Sequence, residues 1–244
     1  MPASGTGLRR TPIGNRPAAH RLPFALAPML FRFHPRTASE RGFSLIEMMM
    51  VVAIIGVLAA ITVPMSGNAL RFIRLSGDAR DISNAAAVAK MRAAAKFTQS
   101  RLFVDINART FYLQTLDKTV THPSCPSGCW VNETSTITTL TSNVSFSFGP
   151  VANAPPNTQA TIGQAPLCMT TPTDTVPTPV AIANTACIIF NSRGLPVDQT
   201  GSPYGNDALY VTDGVGVYGI TIGATGFIRL WRNNYTSVAS WTIQ

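Results

Sequence analysis

Histidine is scarce in this chain: His20, His34 and His122 are its three copies among 244 residues. Two of them fall in the first 42 residues. His122 stands in a Pro/Ser/Cys stretch, where a solvated loop residue is the ordinary outcome. No G-x-S-x-G marks a nucleophile. There is no P-loop, no G-x-G-x-x-G after a strand and no H-E-x-x-H. Acidic residues are also few, eleven in all, and scattered singly, so a paired acid/base site is not indicated. The sequence therefore offers no catalytic residue, no cofactor site and no metal site, and we expect a protein that is not an enzyme.

The shortage of acids leaves a formal charge of +8 and a pI near 9.9, which at first points to nucleic acid. The distribution weakens that reading. Residues 1–42 hold seven arginines and one glutamate, a net +6, while residues 43–244 hold 12 Lys+Arg and 10 Asp+Glu, a net +2. Basic residues beside an apolar span act on topology, because positive flanks stay in the cytoplasm. Cysteine is limited to Cys125, Cys129, Cys168 and Cys187, all beyond the span. On the far side of a membrane they would meet an oxidising compartment, where disulfides persist. Of the three possible pairings, Cys125 with Cys129 and Cys168 with Cys187 each close a loop that reads as irregular. A zinc site is the rival, but C-x3-C followed by C-x18-C is not a ribbon spacing.

Long hydrophobic runs are represented by residues 43–63, with the single charge Glu47 near the start. As a helix, 21 residues span about 30 Å, the thickness of a bilayer's hydrocarbon core. A carboxylate in such a helix costs on the order of 2.5–3.5 kcal/mol at its centre and less near an end, so it needs a partner. Gly42 precedes the run, and cleavage after it would free a positive amine at Phe43. A secretory signal peptide is the alternative, but its apolar region is typically about 7–15 residues long.

The stretch Gly42-Phe43-Ser44-Leu45-Ile46-Glu47, its apolar continuation and Pro64 resemble the class III signal of type IV prepilins and type II secretion pseudopilins. The resemblance implies that a prepilin peptidase cuts after Gly42 and methylates the Phe43 amine. It also implies that the amine of one subunit pairs with Glu47 of another, and that the chain is delivered to an inner-membrane assembly platform. The implied topology is a single pass, with the N-terminus cytoplasmic and the C-terminal domain periplasmic before incorporation into a filament. Residues 1–42 are then a leader, long for its kind. A start at Met29 would shorten it to a basic segment containing Arg32, Arg36 and Arg41.

Beyond the span, residues 64–100 read as an amphipathic continuation of the helix, with Pro64 expected to kink or interrupt it. Phe72, Leu75, Ala79, Ile82, Ala86, Ala89, Ala93 and Phe97 recur at intervals of three and four, the period of a helix packed on one face. Arg71, Arg74, Arg80, Lys90, Arg92, Lys96 and Arg101 outnumber Asp78 and Asp81 on the other faces. That is a solvated helix face or, more sharply, a polyanion-binding one. From residue 101 the period becomes two. Strands are expected at 102–106 and 110–114 as a hairpin, at 135–140 and 143–148, and at 186–190, 208–212, 217–222 and 227–231. Residues 149–184 contain seven prolines and read as a long surface loop suited to recognition. The expected fold is α+β: a long N-terminal hydrophobic helix packed on a C-terminal antiparallel β-sheet domain of residues 101–244, the type IV pilin-like fold.

Three further stretches are similar to one branch of that class, the general secretion pathway protein H and FimT/FimU minor pilin family. They are residues 89–96 running into Leu102-Phe103-Val104-Asp105, residues 189–194, and Gly226-Phe227-Ile228-Arg229-Leu230-Trp231-Arg232. The implied function is a minor pilin of a type IV pilus or, alternatively, an H-type pseudopilin of type II secretion. FimT-type pilins resemble DNA-uptake receptors through a C-terminal Gly-Arg-x-Arg. Here Phe227 replaces the first arginine, leaving Arg229, Trp231, Arg232 and Tyr235 to combine charge with aromatic faces for DNA contact. A reading of another class is a membrane-anchored adhesin or sensor that never polymerises and keeps residues 1–42.

Overall fold

The computed structural model describes residues 42–119, 125, 128–133, 137–170, 178–234 and 240–244. Residues 1–41, which hold all of the expected leader except Gly42, and His122, Pro126, Ser127, Pro172, Pro177 and Tyr235 lie outside them. Two compact units divide the chain, Met1–Met50 and Val51–Gln244.

Among the described residues one helix is present, α1, Leu45–Ala95. Pro64 lies within it and does not end it, contrary to the expected interruption. A proline removes one backbone donor and leaves the hydrogen bonds of the flanking turns in place. In the second unit one stripe of α1 is buried: Leu75, Ala79, Ile82, Ala86, Ala89 and Ala93. The alanines allow close approach of the sheets, and Ile82 supplies bulk. Phe97 is not part of the stripe, being 86% exposed. The helix closes before it through Phe97 N–H to Ala94 C=O (3.3 Å) and Thr98 N–H to Ala93 C=O (3.2 Å). Phe97 occupies the left-handed position with φ 50°, as in a Schellman-type stop.

Ten strands follow. β1 (Ser100–Asp105), β2 (Thr110–Asp117), β3 (Cys129–Asn132), β4 (Thr138–Thr139), β5 (Thr185–Phe190) and β6 (Pro196–Val197) form one sheet, ordered β3-β2-β1-β5-β6 with β4 on β2. β7 (Asp207–Thr212), β8 (Gly216–Ile222), β9 (Ile228–Asn234) and β10 (Thr242–Ile243) form the second, ordered β10-β9-β8-β7. The expected β1–β2 hairpin is present, with Leu102 opposite Leu113. The core is where alternation predicts it. Leu102, Val104, Leu113, Ile188 and Phe190 from the first sheet meet Leu209, Val211, Ile220 and Ile222 from the second, against the helix stripe.

Arg101 is a correction. It belongs to β1 and is buried, not part of a solvated helix face. Its Nε donates to Gln114 Oε1 (2.6 Å) and its Nη1 to the Met169 carbonyl (3.0 Å), and the guanidinium lies 4.2 Å from the Trp130 ring centroid. Burial lowers its pKa to about 10 against a smaller raising effect of Tyr112, so it stays charged at neutral pH. Lys90 is likewise engaged, donating to the Gly226 carbonyl (3.0 Å).

Residues 143–148 are not a strand. Val144 and Phe146 are buried as alternation predicts, but Ser145 makes a lone bridge to Thr212. Two residues earlier the β7 edge is already occupied. The Gln164 carboxamide accepts from Tyr210 N–H and donates to Tyr210 C=O, both at 2.9 Å, and so stands in for a neighbouring strand. That protects an exposed sheet edge.

The proline-rich loop is irregular, as expected, but much of it is a structural cover and not a free recognition surface. Its first part packs Val151 and Ile162 with Tyr210 and Val217 on the outer face of the second sheet. Its later part packs Cys168 and Ile182 with Phe103, Tyr112 and Cys187 on the outer face of the first. Both expected disulfides are formed, Cys125–Cys129 with Cα atoms 5.4 Å apart and Cys168–Cys187 at 4.9 Å. Replacing Cys168 and Cys187 together by Ala should lower stability by about 3 kcal/mol, the usual magnitude for a loop of this length. Urea unfolding checks this, and an unchanged midpoint would show that the loop holds its place without the bridge.

Candidate functional site

Gly42, Phe43 and Ser44 precede the helix in extended or irregular backbone, and all three are exposed. Space is open around Gly42, where an added Cβ would meet nothing within 4 Å. The first helical turn is set by Ser44, whose carbonyl accepts from Glu47 N–H (3.0 Å) and Met48 N–H (3.2 Å). Ser44-Leu45-Ile46-Glu47 has the S-x-x-E spacing of a capping box, a signal the sequence reading passed over. Glu47 is the acidic residue of that first turn and is exposed. Behind it, Leu45–Val63 is long and apolar enough to cross a membrane, with none of its most apolar stretch buried in the protein.

The arrangement has a simple electrostatic consequence. A helix N-terminus carries roughly half a positive charge from its unpaired amides. A new ammonium at Phe43 would add to it, and in an apolar medium neither is screened. One carboxylate in the first turn is the counter-charge for both. Methylating such an amine would keep its charge, so a carboxylate would still be its natural counter-charge.

Residues 37–63 match the family described as the prokaryotic N-terminal methylation motif. The chain carries this N-terminal methylation motif over 27 of its 244 residues. The matched segment ends at the last residue of the apolar span, so it covers Gly42, Phe43, Glu47 and the span and none of the β domain. A search of curated proteins gives no match. Among solved structures, the minor pseudopilin EpsH from the Type 2 Secretion System of Vibrio cholerae is similar at 10% identity, covering 70% of this chain and 96% of that one, with a TM-score of 0.31. That score is too low to bear on the fold or the function.

The DNA-contact residues expected near the C-terminus of the chain do not come together. Successive strand residues point to opposite faces, so Arg229 and Arg232, three apart on β9, diverge. Arg229 is exposed beside Phe227 (5.2 Å to the ring centroid), whereas Arg232 stacks on Phe72 of the helix (4.3 Å). Trp231 is buried and its Nε1 donates to Thr221 Oγ1 (2.9 Å), so it offers no face for a base. The three residues form no common surface.

Proposed function

We propose that the chain is a minor pilin, a structural subunit cut after Gly42, N-methylated on Phe43, held in the inner membrane by its apolar helix and then built into a type IV pilus. The observation that carries this is the placement of an exposed Gly42-Phe43 immediately before the helical turn that presents Glu47, at the head of an otherwise uncharged span. Its partners are prepilin peptidase, other pilin subunits and the inner-membrane assembly platform. The disulfides fit a periplasmic C-terminal domain, since they persist in oxidising compartments. We assign the chain no reaction of its own.

Mass spectrometry of the mature protein from its own cells tests the reading. The expected N-terminus is methylated Phe43. A chain that still begins upstream of Phe43 would favour a non-polymerising anchored protein, and one that begins beyond Pro64 a cleaved secretory signal. The pseudopilus of type II secretion requires the same processing. Co-purification with pilus or with secretion components separates the two assemblies.

A further inference from the structure

The first basic residues past the apolar span are Arg71 and Arg74, and they border a cavity of about 400 Å³ whose other walls are Ser142, Asn143, Val144 and Asp213. The loop bearing Ser142 and Asn143 is anchored to the helix, because Asp78 Oδ2 accepts from Thr141 N–H (3.0 Å) and Thr141 Oγ1 (2.7 Å). Among the described residues the ion pairs are Arg92 and Lys96 with Glu133, so neither Arg71 nor Arg74 is paired. Asp213 does not neutralise them at contact distance. Its Oδ1 instead accepts from Val215 N–H and Gly216 N–H, both at 2.9 Å. Two guanidiniums facing a hydroxyl and a carboxamide make a donor-rich cup for a phosphate.

Position along the helix selects the source of that phosphate. Arg71 lies eight residues and Arg74 eleven residues beyond Val63, about 12 and 16 Å of helix rise. Headgroups occupy roughly 5–8 Å outside the hydrocarbon core, and the field of an anionic surface reaches about one Debye length, 8–10 Å, further. Helical side chains tilt toward the N-terminus, here toward the span, which shortens the gap. Leu70 and Ile73, beside the two arginines, are exposed apolar residues, the mixture that settles at a membrane interface.

We propose that the Arg71–Arg74 cup binds the phosphate of an anionic lipid headgroup while the span lies in the bilayer. The membrane-stored subunit would then be held against the surface by its own domain, and this contact would have to be broken on extraction into a filament. The proposal rests on the span being inserted, not on which assembly the chain enters.

The test uses the processed full chain in nanodiscs of phosphatidylcholine, with or without phosphatidylglycerol. A fluorophore is placed on Ser142→Cys, the four native cysteines being paired in disulfides, and is quenched by nitroxide-headgroup lipid. Phosphatidylglycerol is expected to increase quenching and high salt to remove the increase. Arg71→Gln with Arg74→Gln should return quenching to the phosphatidylcholine level, a weakening of roughly 30-fold for two arginines near a charged surface. Arg71→Lys with Arg74→Lys should retain much of the increase, and Arg229→Gln, on an exposed arginine of β9, should leave it unchanged. Equal quenching in the two lipids overturns the proposal. So does an increase that follows protein copies per disc, which would mark a second copy as the occupant, or one abolished by inorganic phosphate at constant ionic strength, which would mark a small-anion site. Failure of the chain to insert, seen by flotation, would instead refute the span itself.

Discussion

Glu47→Val is expected to leave cleavage after Gly42 intact while keeping the subunit out of the filament. The proposed cleavage would act on Gly42 and Phe43, which remain as they are. In the assembled state, however, the Phe43 ammonium of a neighbour would lie in an apolar core with no carboxylate to meet it. Removing one member of a buried pair costs about 3–5 kcal/mol, because the other charge stays desolvated and unpaired. Each contact would weaken by roughly 10²–10⁴-fold. Glu47→Gln should fall between, since the amide still accepts a hydrogen bond but supplies no charge. The measurement is the ratio of variant to wild type in sheared filaments, with N-terminal mass spectrometry confirming equal processing. Wild-type incorporation of Glu47→Val would refute intersubunit pairing and leave Glu47 the local role of offsetting its own helix N-terminus.

The second large effect is on stability against pH. Asp207 begins β7, is buried at 3% exposure, and has an Oδ1 with no hydrogen-bond partner. Desolvation disfavours its charged form and raises its pKa from 3.8 to about 7. The folded pKa lies above the unfolded one, so the folded state binds the proton more tightly. The stability that Asp207 contributes is therefore fully present below about pH 4 and is lost as pH rises toward 7. Three pKa units set a ceiling of about 4 kcal/mol on that loss. Asp207→Asn mimics the protonated form at every pH. It should flatten the urea-unfolding midpoint between pH 4 and 7 and raise stability at pH 7.5. Asp198 does not interfere. Its exposed carboxylate is held below the usual range chiefly by the Thr200 hydroxyl, with help from backbone amides, so its stabilisation is lost only as pH falls below that window. A wild-type midpoint unchanged from pH 4 to 7 would show that Asp207 meets water or a cation when folded.

Much of this protein was legible in sequence because it depends on local spacing. The processing signal is six consecutive residues, and the span is a count of apolar positions. The helix stripe from Leu75 to Ala93 and the inward residues of β1, β5, β7 and β8 follow from periods of 3.6 and 2. The disulfide pairing followed from which loops needed closing. The same period-two rule applied to β9 already places Arg229 and Arg232, three residues apart, on opposite faces.

What only the tertiary structure decided are the outcomes set by distant partners. Alternation in residues 143–148 buries Val144 and Phe146 but makes no strand, because Gln164 already occupies the β7 edge. Phe97 has the spacing of a core residue, yet the helix stops before it. Arg101 looks like one more surface charge until Gln114, Met169 and Trp130 enclose it. Hydrophobic periodicity tells a side chain which way to face. Whether a backbone donor finds an acceptor, or a guanidinium finds walls, depends on residues tens of positions away that folding alone brings together.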